Sequence, residues 1–172
     1  MDASRPFTVF NGKQYDYILS VSGVMEFDNT LQFFENCHKH LVNGGRFVVT
    51  NDNVVSVRDR IVYLLFGKVR QYRLFVTQGE GTWKVIPIHN LVRIIKDAGF
   101  QIREIKYTSF SMKDWPLIPF AILLYPIQLL HMWRNKTKMP WAERLALYPF
   151  KSLLYRHYVI LCEKSNTGSA SF

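Results

Sequence analysis

The chain has 172 residues, 48% hydrophobic and 20% charged, which suits one globular domain and excludes a disordered protein. Its formal net charge of +9 invites an acidic partner: nucleic acid, a phosphorylated substrate or an anionic membrane surface. The basic residues are scattered, with the densest clusters at Lys68, Arg70, Arg73 and at Arg134, Lys136, Lys138, so a solvated face explains them better than nucleic-acid binding.

The opening MDASRPF has no apolar signal core, so no secretory signal is expected. Tyr15 to Val21 is short, apolar and β-favouring, and reads as a buried strand. Asp28 or Asn29 then caps a helix over about residues 30–41. Leu31, Phe34, His38 and Leu41 fall on one face of it, with Phe33 and Cys37 beside them. His38 and His40 read as surface or edge residues rather than ligands, because no third ligand is near. Asn43-Gly44-Gly45 is the expected helix stop. Arg46 to Thr50 is a second buried strand, and Asn51-Asp52-Asn53 is turn and cap chemistry. Val54, Val57, Ile61, Leu64 and Leu65 then mark the inward face of a helix ending at Gly67.

Residues 68–84 lack periodicity and read as a loop over one end of the sheet. Residues 89–98 form an amphipathic helix, with Leu91, Ile94, Ile95 and Ala98 inward and Gly99 as its stop. Phe100 to Thr108 alternates as a strand, and His157 to Glu163 closes the chain as another. Cys37 and Cys162 lie far apart with no Cys-x-x-Cys, which speaks against a metal site and suits a reducing compartment. The rhythm of strands and helices is that of an α/β layer fold. The strands near 15–21 and 45–50 are expected to be parallel neighbours, because a helix of suitable length joins them.

Residues 115–133 stand apart. They are apolar nearly all round, carry Trp115 and Trp133 at their ends, and run into Arg134, Lys136 and Lys138. A spanning helix needs about 20 apolar residues, and three prolines, Gln128 and His131 count against a clean span. An interfacial segment and a lid packed on the domain remain the two readings. Trp141 to Leu154 is a second basic, aromatic amphipathic stretch.

Four signatures carry a resemblance. Asp2-Ala3, Pro6-Phe7, Gly12 and Tyr15-Asp16-Tyr17-Ile18 are similar to a "D-A … P-F … G … F-D-x-I" stretch. Val24-Met25-Glu26-Phe27 is similar to "V-x-E-H", and Leu41 to Val49 to "L-K-P-G-G-x-L-V-V". Leu91 to Phe100 is similar to "L-x-x-L-L-x-x-A-G-F". In this order and spacing they resemble the carboxy-terminal half of the class I S-adenosylmethionine (SAM) dependent methyltransferases.

The resemblance implies a partial Rossmann-like sheet, mostly parallel with an antiparallel last strand, flanked by helices. It implies an incomplete α/β domain over 1–110 and 155–164, a helical insertion over 111–154 and a tail over 165–172. Its implied cofactor is SAM, with Asp2 and Ala3 near the adenine and Ser20, Val21 and Ser22 lining the methionine moiety. Glu26 and His89 are the candidate bases for the acceptor. Phe27 stands where the family has its histidine. The family's G-x-G-x-G turn and ribose-binding acid have no counterpart, because Met1 stands immediately before the "D-A" position. The chain thus reads as a truncated methyltransferase, with weak or no SAM binding expected alone and a missing amino-terminal half or completing chain as a partner. The implied acceptor is a lipid-linked or envelope-glycan substrate, and the implied location is cytoplasmic, at the inner face of an anionic membrane. The alternative is a non-catalytic remnant serving as a membrane-associated or partner-binding module.

Overall fold

The computed structural model describes residues 12–69, 84–135 and 137–165. The elements run β1 (Tyr15–Val21), α1 (Thr30–His40), β2 (Leu41–Asp52), α2 (Val57–Phe66), α3 (Ile88–Asp97) and β3 (Phe100–Thr108). A 3-10 segment (Met112–Leu117) then leads into α4 (Ile118–Arg134), followed by α5 (Trp141–Leu147), a second 3-10 segment (Phe150–Leu153) and β4 (His157–Lys164). The four strands form one sheet in the order β1-β2-β4-β3.

β1 and β2 are parallel, with Tyr17 opposite Arg46 and Val21 opposite Thr50. β4 runs the other way. The Asn53 N–H, just past the end of β2, donates to the Arg156 carbonyl before β4 (2.7 Å), while Lys164 Nζ at the end of β4 reaches the Leu41 carbonyl at the start of β2 (2.8 Å). β3 meets β4 the same way, with the Arg103 guanidinium on the Glu163 carboxylate at 2.9 Å and the Arg156 N–H on the Ser109 carbonyl at 3.3 Å. Three strands therefore point one way and the last opposes them, as the sequence led us to expect.

The junction of α1 and β2 departs from expectation. The helix ends at His40, and Leu41 is already extended (φ −90°, ψ 145°) and fully buried. The glycines do not stop the helix; they let the strand recover its register. Between Tyr15↔Leu41 and Tyr17↔Arg46 the pairing jumps, and Gly44 turns the chain with φ 75°. A Cβ on Gly45 would lie 2.8 Å from the Val42 carbonyl oxygen and 3.3 Å from that of Asp16, so only glycine fits there.

The chain divides into two compact units: Met1–Asn51, Gly81–Lys106 and Val159–Phe172 form the first, Asp52–Glu80 and Tyr107–Tyr158 the second. Compactness thus groups α2 with the helices that follow β3. In the first unit, α1 packs on α3, and a run of rings forms the core. Phe34 meets Phe47 at 5.4 Å between centroids, and Phe47 stacks on Phe100 at 5.4 Å. The inward stripe of α1 is Thr30, Phe33, Phe34, Cys37 and His40, while Leu31 faces solvent. His40 is therefore a core residue, not an edge one; its Nδ1 meets the Asn36 carbonyl oxygen at 2.8 Å. Its ring takes the fourth position of the stripe, where that local bond satisfies Nδ1.

In the second unit, Val57, Ala121, Leu153 and Leu154 are buried together, with Ile61, Leu124, Tyr125 and Phe150 packed around them. Buried Asp114 accepts from Arg58 (2.7 Å) and from Arg156 (2.9 Å), tying three segments of the unit together. Arg144 donates to the carbonyls of Met132, Asn135, Thr137 and Met139, closing the end of α4. Leu64 and Leu65, expected inward, are 83% and 65% exposed. They continue the face of Val57 and Ile61, but the cluster covers only the first turns of α2. Most of the expected 68–84 loop lies outside the described residues.

Candidate cofactor-binding site

In parallel sheets ligands bind beyond the carboxyl ends of the strands, and in the first unit that end of β1 carries an unusual backbone. Ser22 follows β1 with φ 51°, a left-handed conformation that non-glycine residues seldom adopt. Its N–H donates to both the carbonyl oxygen (3.2 Å) and the hydroxyl (3.0 Å) of Thr50 on β2. Two bonds from a neighbouring strand thus hold a strained turn in place.

The segment before α3 closes on the same end. The Lys84 N–H donates to the Met25 carbonyl (2.9 Å), and the Lys84 ammonium reaches Asp28. The buried Asn51 amide donates to the Ile86 carbonyl (3.3 Å). The loop carrying Glu26 and the helix start carrying His89 are therefore brought to one end of the sheet. Both side chains are exposed. Glu26 sits in a turn closed by its N–H on the Gly23 carbonyl (3.1 Å). His89 occupies the first turn of α3, whose cap position is Pro87, so its ring is not the cap. Asp2 and Ala3 lie outside the described residues.

Ser20, Val21 and Phe27 line a groove of about 550 Å³ along β1, whose far wall is Phe33, Asn36 and His40 of α1. Ser20 is buried; Val21 is 65% exposed, as are Tyr17 (67%) and Leu19 (65%) beside it. A groove walled by rings and a serine suits the apolar and sulfonium parts of a SAM-like ligand. Among the described residues no carboxylate lines it, so the bidentate acid that usually grips ribose hydroxyls is not among them. The residues present fit one wall of such a site. Phe27 stacks on Phe33 at 4.2 Å, so it packs rather than presents a polar group.

Thr50, Asn51 and Lys84 are the site residues that sequence reasoning missed. The Asn51-Asp52-Asn53 run showed turn chemistry, but its reach across the sheet end has no local signature. Cys37 lies in the groove wall and Cys162 does not; burial pushes both thiols up to about 12, so neither is a thiolate at neutral pH.

No protein-family model and no curated protein matches the sequence. Solved structures do match in fold. A SAM-dependent methyltransferase from Thermotoga maritima aligns over 95% of this chain and 61% of its own, at 15% identity and a TM-score of 0.53. A Haloferax volcanii chain named as a methyltransferase, solved with a methyltransferase activator, aligns over 99% of this chain and 61% of its own, at 11% identity and 0.54. A chain named as an S-adenosylmethionine-dependent methyltransferase from Listeria monocytogenes aligns over 95% and 67%, at 12% and 0.51. The chain spans about three-fifths to two-thirds of the length of these structures.

Proposed function

We propose, from the premise that the chain has the class I methyltransferase fold, that it is the carboxy-terminal half of a SAM-dependent methyltransferase and supplies one wall of the cofactor site. The observation that carries this reading is Ser22, held strained at the carboxyl end of two parallel strands beside an open groove. Ser20, Val21 and Ser22 would line the methionine part of the cofactor and Asp2 the adenine. SAM, when bound, supplies an electrophilic methyl group. Glu26 and His89, at the rim, orient the acceptor and take its proton.

The G-x-G-x-G turn and the ribose acid would come from a preceding half or a completing chain. The open face of β1, with Tyr17, Leu19 and Val21 exposed, supports such a partner, because parallel strands are normally covered on both faces. The acceptor would be a lipid-linked or envelope glycan, with the protein cytoplasmic and peripheral at an anionic membrane. The exposed outer side of α4 supports that placement. Calorimetry tests the reading: this chain alone should bind SAM weakly or not at all, and the chain joined to a half carrying the glycine-rich turn should bind it at micromolar levels. No binding by the joined protein would end the proposal.

A second reading is a non-catalytic remnant that binds a membrane or a partner. The stacking of Phe27 on Phe33, at the family's histidine position, favours it. The joined protein would then bind SAM without turning over any acceptor.

A further inference from the structure

α2 is anchored at one end and bare at the other. Its first turn is capped by Ser56, buries Val57 and ties Arg58 to Asp114. Its last turn presents Tyr63, Leu64, Leu65 and Phe66 in succession, each 61–83% exposed. Gly67 ends it with φ 63°, and among the described residues, its chain neighbours aside, none comes within 4 Å of where its Cβ would be. Four consecutive residues span most of a helix's circumference, so the whole tip is apolar, not one face of it.

α4 belongs to the same unit and meets α2 through Arg60, whose guanidinium donates to Gln128 Oε1 at 2.8 Å. Ala121, Leu124, Tyr125 and Met132 turn inward. Phe120, Leu123, Ile127, Leu130 and Trp133 turn outward and are 53–72% exposed. Residues 112–134 form a helical stretch long and apolar enough to cross a membrane, but the inward stripe is packed on the unit's own core, so it lies along a surface rather than across one.

Charge identifies the surface. The only acid in residues 112–135 is Asp114, which is buried and paired with two arginines. The only acid in α2 is Asp59, buried and hydrogen-bonded by Ser56. The exposed cations are Lys113, Arg134 and Lys138, and half-buried Lys68 follows the α2 tip. A second copy would bring the same cations face to face. Exposed apolar side chains flanked along the chain by cations and tryptophans match an anionic bilayer.

We infer that this unit docks on an anionic membrane through two elements, the outward face of α4 and the C-terminal turn of α2. The inference rests on the membrane-peripheral reading above and adds an insertion point which that reading does not contain.

The test is co-sedimentation of the full chain with phosphatidylcholine vesicles, with and without phosphatidylglycerol. It compares the native sequence with Leu64→Gln/Phe66→Gln and with Leu123→Gln/Ile127→Gln. All four positions are exposed, and melting curves control for folding. Leu64→Cys carrying an environment-sensitive fluorophore gives a second readout, since Cys37 and Cys162 are buried. The native chain should bind only the anionic vesicles, each double variant should lose roughly tenfold or more in partition, and the fluorophore should shift to the blue on binding. Native binding by the α2 variant, with the fluorophore remaining in water, overturns the inference and leaves the membrane reading standing. A native chain that stays in the supernatant overturns both. A lipid-free dimer dissolved by Leu64→Gln/Phe66→Gln would make the tip a self-interface and also overturn the inference.

Discussion

Asp114 shows how a single side chain decides a unit's stability. Burial pushes its carboxyl up, but the Arg156 and Arg58 guanidinium groups outweigh that and hold it below the usual carboxylate range. Its folded value lies below its unfolded one, so its stabilisation is present above the ordinary carboxylate range and is lost as pH falls through the folded value. Asp114→Asn should destabilise the protein at neutral pH, toward the low end of roughly 3–5 kcal/mol because both arginines keep some contact with water. Denaturant melts at pH 7 and pH 3 check this: the deficit should shrink at the lower pH. Gly45→Ala should cost about 1–3 kcal/mol, since its Cβ meets backbone that cannot move freely. An equal melting midpoint for the variant would contradict the register argument. The cysteines give a third check. With both thiols buried and pushed up, an aromatic disulfide reagent should titrate neither in the native protein and both after denaturation.

At the scale of elements, periodicity identified what each segment is and sometimes misjudged what covers it. The stripe of α3 was legible: Leu91, Ile95 and Ala98 are buried, and Ile88 and Val92 join them. In α2 the same rule marked Leu64 and Leu65 as inward, and they are the barest apolar residues of the helix. A hydrophobic face predicts burial only where something lies opposite it, and that partner is set by distant segments. α1 erred differently. Leu31 and His40 exchanged places because a histidine bonded to the turn before it can enter a core. Ser22 is an element-scale device as well: Ser22→Gly should stabilise the β1–α1 turn by up to about 1 kcal/mol by relieving the left-handed strain. A lower melting temperature for that variant would show that the hydroxyl, not the backbone, holds the turn.

At the scale of the molecule, strand identities, their order in the chain and the parallel pairing of the first two strands were readable from alternation and from the length of the joining helix. So was the apolar character of residues 115–133. The position of β4 was not readable from those patterns. Its insertion between β2 and β3 depends on pairings across more than a hundred residues, such as Lys164 with Leu41. The candidate site was half legible. Ser20 and Val21 end β1, Ser22 follows it and Glu26 lies in the loop beyond, the positions the family resemblance pointed to. Thr50, Asn51 and Lys84 join that end only through long-range hydrogen bonds. The sequence by itself determined the elements and their apolar faces, because helix and strand periods are written in neighbouring residues. Only the tertiary structure decided which faces stay bare and which loop ends meet, because those depend on chain segments that local pattern cannot bring together.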